Sequence, residues 1–269
     1  MAFTENKSGS LVYMTAPNIS AAHAFTTRYG GVSRGIFSSL NLAANRGDEP
    51  EHIRENYDIL SRALGINTGD IVFSRQVHKA DIRIVTSDDR HELFTDVPYE
   101  ADGLVTAESG VPLIIFTADC VPILLHDPVR GAIGAVHAGW RGSVLDIAGA
   151  AIRKMAVSFG CMPADIRAAI GPCISKCCFE TGPEVRDAVF DALGSGAEAC
   201  CTPCGDKYMV DLKETNRLLL LRAGLLDDNI CISGECTSCR DDKYWSHRKT
   251  NGMRGSQAAL IVMKGTAHE

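Results

Sequence analysis

TADCVPILLHDPVRGAIGAVH, residues 117–137, consists of two apolar runs joined by a short polar link, and its reading decides the fold. VPILLH and GAIGAVH are each long enough for a strand, and DPVR between them carries proline where a type I turn accepts it. The pattern predicts a β-hairpin. With His126 placed opposite Gly131, cross-strand partners sum to 257 and Cys120 falls opposite His137. Directly opposed residues have Cβ atoms about 4.5–5.5 Å apart, close enough for a thiolate and an imidazole to share one metal ion. A slip of one residue would send them to opposite faces.

Further strands are expected near AHAFTT, DIRIV, ADGLVT, VPLIIFT, IRAAI and AALIVM. Several are continuous apolar runs, the mark of sheets covered on both faces. Helical spacing marks 51–64, 143–159, 182–193 and 211–223, the last opening DLKE with Asp211 as cap and Glu214 placed to reach back. Strands outnumber helices and do not alternate with them. The fold class is therefore α+β, with mixed β-sheets in layers flanked by helices. No repeat, linker or low-complexity segment interrupts the sequence, so residues 1–269 are taken as one domain.

Twenty-seven Lys and Arg against 33 Asp and Glu leave a net charge of −6, which offers no general footprint for nucleic acid. No apolar run reaches the roughly 18 residues of a membrane span, and no secretory leader is evident. A cytoplasmic location is the expectation. The eleven cysteines are an odd count, and a reducing compartment with thiols unpaired or on metal fits them better than a disulfide framework.

His78, in QVHKADI just before a β-like segment, supplies a third ligand beside Cys120 and His137. Two histidines and one cysteine leave a tetrahedral zinc one open position, as catalytic sites do. Copper is the alternative ion, because the same ligand set serves blue copper centres. CTPC (201–204) and CTSC (236–239) also have the form of a structural zinc site, although a helix and a strand lie between them; CISKCC (173–178) is a further source of thiols.

The chain resembles the YfiH-like family, also described as laccase-domain or multicopper polyphenol oxidoreductase proteins and as purine nucleoside phosphorylases. The resemblance runs through TTRYGGVSRG, SLNLA, RENYDIL, QVHKADI, ADGLVT, TADCVPILLHDP, AVHAGWRG, AAIGPCI and YWSHRK. It implies a zinc site at His78, Cys120 and His137, and a fold shared with a deamidating toxin that uses a cysteine and a histidine. The implied activities are phosphorolysis of adenosine, inosine and methylthioadenosine, and deamination of adenosine. Departures from the family pattern fall at QVHK, SHRK, GMRG and CFETGPEV, at expected pocket edges.

Phosphorolysis calls for a phosphate cradle, and arginine is its natural donor. Arg28, Arg75, Arg141 and Arg248 lie in the motif stretches, as does Asn41 of SLNLA. Arg28, Asn41, Arg75 and Arg141 are assigned to substrate or phosphate; Asp119, Cys120, His137 and Arg248 are the catalytic candidates. Asp119 is either a proton-shuttling carboxylate or a cap, because a straight strand would point it away from Cys120. Trp140 either stacks on a purine or covers the hairpin end. Competing chemistries are a copper-dependent polyphenol oxidase and a cysteine hydrolase or amidase acting on a cell-wall precursor through Cys120 and His137. The expected partners are small purine nucleosides and phosphate, not nucleic acid or membrane, for a monomer or homodimer.

Overall fold

The computed structural model describes residues 2–264. Six strands form one sheet: β4 (Ile82–Ile84), β5 (Gly103–Thr106), β7 (Val121–Asp127), β8 (Ala132–Ala138), β9 (Arg167–Ile170) and β13 (Ile230–Ile232), in the order β13-β9-β7-β8-β5-β4. Five form a second: β1 (Thr4–Ser8), β2 (Leu11–Thr15), β3 (Ala22–Thr26), β6 (Leu113–Thr117) and β14 (Gln257–Val262), in the order β1-β2-β3-β14-β6. A small sheet, β10 (Glu180–Thr181), β12 (Lys207–Val210) and β11 (Cys201–Cys204), stands apart.

Alternation along the strands explains the layering. In β7, Val121, Ile123 and Leu125 join a cluster with Ile152 and Met155 of α3 (Ile147–Phe159) and Leu220 of α5 (Leu212–Arg222). Leu124, on the other face, packs with Phe25, Ile115 and Ile261 of the second sheet. β14 divides likewise: Ala258, Leu260 and Val262 meet Ile53, Tyr57 and Leu60 of α1 (Pro50–Leu64), whereas Ala259 and Ile261 face the other sheet. The order of layers is α1, five-stranded sheet, six-stranded sheet, then α3 and α5. Both sheets are covered on two faces, which is why their strands read as continuous apolar runs.

All eight expected strands are present, and the six others are short, polar or at the margins, such as the exposed hairpin strand TENKS. The helix expected over 143–159 is divided into α2 (Trp140–Val144) and α3, because Asp146 adopts φ +57° and its carboxylate caps Gly149. α4 (Pro183–Leu193) and α5 match expectation, and Asp211 caps Lys213 and Glu214 as foreseen. Glu214, however, pairs with Arg217 instead of reaching back. Among the described residues no helix is long and apolar enough to cross a membrane.

The hairpin register differs from the expected one. Partners sum to 259: His126 pairs with Ile133 and Pro122 with His137. The turn is PVRG rather than DPVR, because the Asp127 carboxylate accepts from the amides of Val129 and Arg130 and Gly131 takes φ +61°. A shift of two residues preserves the face, so Cys120 stays on the same side as His137, one step diagonal to it.

Leu124 is fully buried between the sheets, so Leu124→Ala should lower stability by about 2–5 kcal/mol, measured by urea denaturation. A loss below about 1 kcal/mol would contradict tight packing between the two sheets.

Candidate metal centre

Cys120 lies where the chain passes between layers. β6 ends at Thr117 in one sheet and β7 begins at Val121 in the other, so Ala118, Asp119 and Cys120 make the crossing. Asp119 adopts φ +85°, a conformation that breaks the strand alternation. Its carboxylate accepts from Thr237 Oγ1 at 2.6 Å, Ser246 Oγ at 3.0 Å and the Arg248 amide at 2.7 Å. Those bonds tie the turn to the start of the short helix α6 (His247–Thr250), the capping alternative of the two considered above.

His78 comes from the loop before β4, at φ +61°. His137, near the end of β8, lies on the same strand face as Ile133 and Ala135, which pack between the sheets. Asp102, fully buried beside β5, joins the two histidines. Oδ1 accepts from His137 Nδ1 at 2.8 Å and from the His78 amide at 2.9 Å; Oδ2 accepts from the amides of Val77 and Lys79. A donor at Nδ1 leaves Nε2 of His137 with its lone pair outward, as a metal ligand requires. Gln76 fixes the other side of the loop by exchanging two hydrogen bonds with the backbone of Phe116.

One donor atom from each of His78, Cys120 and His137 lies within 4.8 Å of the others, with His78 Nε2 4.0 Å from Cys120 Sγ. Donors around a tetrahedral zinc stand roughly 3.3–3.5 Å apart, so small side-chain adjustments would close the set. Gly139 makes room for it: a Cβ there would meet His78 Cδ2 at 3.0 Å and Cys120 Sγ at 3.3 Å. Burial would raise the Cys120 thiol, but the His137 charge and hydrogen bonds from both histidines bring it down to about 6. His137 is lowered by burial yet raised by Cys120 and Asp102 to about 9. Two imidazoles and a ready thiolate suit a borderline-soft divalent ion such as zinc, with copper chemically compatible.

The three residues open onto a cavity of ≈ 470 Å³, within the range of small-molecule sites. Its walls include Phe73, Phe116, Leu93 and Phe94, and on the polar side Arg46, Arg75 and Arg254. Arg75 is paired with Glu100 at 3.1 Å. Arg254 is buried, and its Nε has no hydrogen-bond partner. Burial and the nearby Arg46 lower it to about 10. Its Nη1 donates to the Gly255 carbonyl and to Ser256 Oγ, and a buried guanidinium in a cavity lining whose donors are not all filled is an arrangement an anion can complete.

The other sequence candidates stand outside the cavity lining. Arg28 bonds the carbonyls of Ser38 and Asp241 and stacks on Trp245; Arg141 lies over Trp140; Arg248 bonds the Cys178 carbonyl. Asn41 is fully buried, its Oδ1 accepting from the amides of Ala43 and Ser256, two residues of the cavity wall. Arg28, Asn41 and Arg248 are bonded to the protein itself, Arg141 is exposed beside Trp140, and only Arg75 of the expected cradle reaches the cavity. Trp140 packs against the core under the hairpin end. Arg46, Asp102 and Arg254 are additions from the structure. Asp102 lies in the quoted ADGLVT, and the β5–β8 pairing of Gly103 with Val136 would have placed it beside His137.

The family model described as "Multi-copper polyphenol oxidoreductase laccase" matches residues 22–264. Purine nucleoside phosphorylase YlmD of Geobacillus stearothermophilus is 37% identical over 264 residues, 96% of each chain. Adenosine deaminase RL5, from an unknown prokaryotic organism, is 34% identical over 241 residues, 87% of this chain and 91% of that one. The crystal structure of Bacillus licheniformis hypothetical protein YfiH superposes with a TM-score of 0.91 at 34% identity, covering 97% and 99% of the two chains.

In metal-free protein, iodoacetamide should modify Cys120 at a rate that rises with pH through a midpoint at about 6 before levelling off, because the thiolate is the nucleophile. Peptide mass mapping reads this out; a midpoint near the ordinary 9.0 would refute the pairing with the histidines. Asp102→Asn should weaken zinc binding by about 10–100-fold in competition with a chromophoric chelator, since the oriented ligand loses its acceptor. Unchanged affinity would remove Asp102 from the site.

Proposed function

The chain belongs to the multi-copper polyphenol oxidoreductase laccase family, and from that membership and its cavity we propose that it is a zinc-dependent purine nucleoside phosphorylase. Its substrates are adenosine, inosine and methylthioadenosine with phosphate, and adenosine deamination is a second activity of the same site. The observation that carries the proposal is Arg254: a buried guanidinium with an unpartnered Nε, facing the same cavity as His78, Cys120 and His137.

Arg254 and Arg46 hold phosphate, with Arg75 at the rim, and bring an oxygen to the sugar carbon that loses its bond to the base. Phe73 and Phe116 offer the apolar wall a purine requires. Asp119 acts at a distance, fixing the turn that presents Cys120. His78, Cys120 and His137 hold the zinc, which when bound supplies electrostatic stabilisation of developing negative charge and a water of lowered pKa. The names of the YlmD and RL5 relatives support the two activities.

A second reading rests on the chain of Asp102, His137 and Cys120, which also suits a cysteine hydrolase. Metal content separates the two, because a thiolate committed to zinc is a poor nucleophile for acyl transfer. Copper oxidase chemistry follows the family description, but several copper ions need more histidines than this cluster gathers.

Inosine and adenosine incubated with metal-assayed protein should release free base only when phosphate is present, and chelation should abolish the release. Arg254→Met should raise the KM for phosphate about tenfold or more, the worth of a charge-assisted hydrogen bond. Zinc-loaded protein that releases no base on chromatography would overturn the phosphorylase and leave the hydrolase.

A further inference from the structure

The structure gathers four cysteines at a place remote in sequence from the ligands already described. Cys177 and Cys178 lie in the turn after β9, and Cys236 and Cys239 in the turn after β13. We infer that Cys177, Cys178, Cys236 and Cys239 form a second metal site, a closed tetrathiolate centre for a soft divalent ion, zinc by its ligand set. CTSC does supply one half, as its spacing suggests, but the partner pair is KCC and not CTPC. Cys201 and Cys204 sit three apart on β11, where strand alternation turns them to opposite faces and bars them from sharing an ion.

The sulfur geometry supports the assignment. Sγ of Cys177 is 3.8 Å from that of Cys178 and 3.6 Å from that of Cys239; Cys178 and Cys239 are 3.3 Å apart. One Sγ from each of the four lies within 4.8 Å of the others. Zinc–sulfur bonds of about 2.3 Å in a tetrahedron set the sulfurs roughly 3.8 Å apart. The turns also carry the backbone support such centres use: the Ser175 amide donates to Cys236 Sγ at 3.3 Å. Amides of Ser238 and Cys239 face the same sulfur. Four thiolates this close repel one another unless a cation lies among them, and an all-sulfur tetrahedron selects zinc over harder ions.

Both turns also bear on Cys120. Cys173 bridges to Cys236, and the Thr237 amide donates to the Cys173 carbonyl. From the first turn the Ile174 amide donates to the Asp119 carbonyl, and from the second the Thr237 hydroxyl donates to the Asp119 carboxylate. An ion in the cluster would lock these two turns around the residue that precedes Cys120.

The test is the metal stoichiometry of the full chain, loaded with zinc under reducing conditions and dialysed, measured by mass spectrometry of the elements. Two ions per chain are expected in the wild type, one in Cys120→Ala, and one in the double variant Cys178→Ser, Cys239→Ser. Cobalt bound to Cys120→Ala should show the strong thiolate charge-transfer bands of a sulfur-only tetrahedron. Because Cys120→Ala leaves the four cysteines intact, the result does not depend on the double variant folding. Overturning outcomes are a wild type with a single ion that Cys120→Ala removes, a cobalt spectrum lacking thiolate bands, or a Cys178–Cys239 disulfide that persists under reduction and excludes metal.

Discussion

One buried carboxylate holds the centre together. Asp102 accepts three successive backbone amides, from Val77, His78 and Lys79, and the Nδ1 donor of His137. Taking a carboxylate out of water is costly, and four donors aimed at its two oxygens offset that cost. They also hold it ionised: burial raises its pKa, but His137 and the loop amides outweigh that effect and lower it. The ionised group fixes a loop whose His78 takes a left-handed backbone and sets the tautomer of a histidine on a different strand. Without it, two of the three ligands would have no common reference.

The remaining ligand is fixed by another means. Cys120 is presented by a layer crossing whose strained residue, Asp119, spends its carboxylate on three donors from the C-terminal third of the chain. The ligand triad is therefore supported from two directions, by the amides of the loop before β4 held on Asp102 and by the segment around Thr237, Ser246 and Arg248. Charge is arranged with similar economy. A chain of net charge −6 brings three guanidiniums into the lining of one cavity, together with a thiol that loses its proton readily.

Much of this was legible in the sequence, for physical reasons that differ by residue. Apolar runs such as VPILLH announced strands covered on both faces, and the hairpin placed Cys120 and His137 on one face even with the turn misread. The parity of a strand survives a shift of two residues, so the error in register did not reach the site. Arg254 was legible only as part of GMRG at an expected pocket edge, not as a buried guanidinium: it lies in an irregular stretch between α6 and β14, and only tertiary packing buries it. Arg28 and Arg248 were attractive for their motifs, yet their guanidiniums bond backbone carbonyls. A motif marks where a residue matters without saying whether it touches a ligand or a neighbour. The cysteine pairs erred similarly, since CxxC spacing cannot reveal that one pair lies flat along a strand.

The insertion of β14 between β3 and β6 separates the birth of the two halves of the cavity. His78, Asp102, Cys120 and His137 all belong to the contiguous run β4-β5-β8-β7 or the loops at its ends, and are present once residue 137 has been made. Arg254 and Ser256 arrive more than a hundred residues later, with the strand that completes the opposite sheet. On the ribosome, the chain therefore has all three donors of the His78, Cys120 and His137 centre in hand well before it can close a chamber over a substrate.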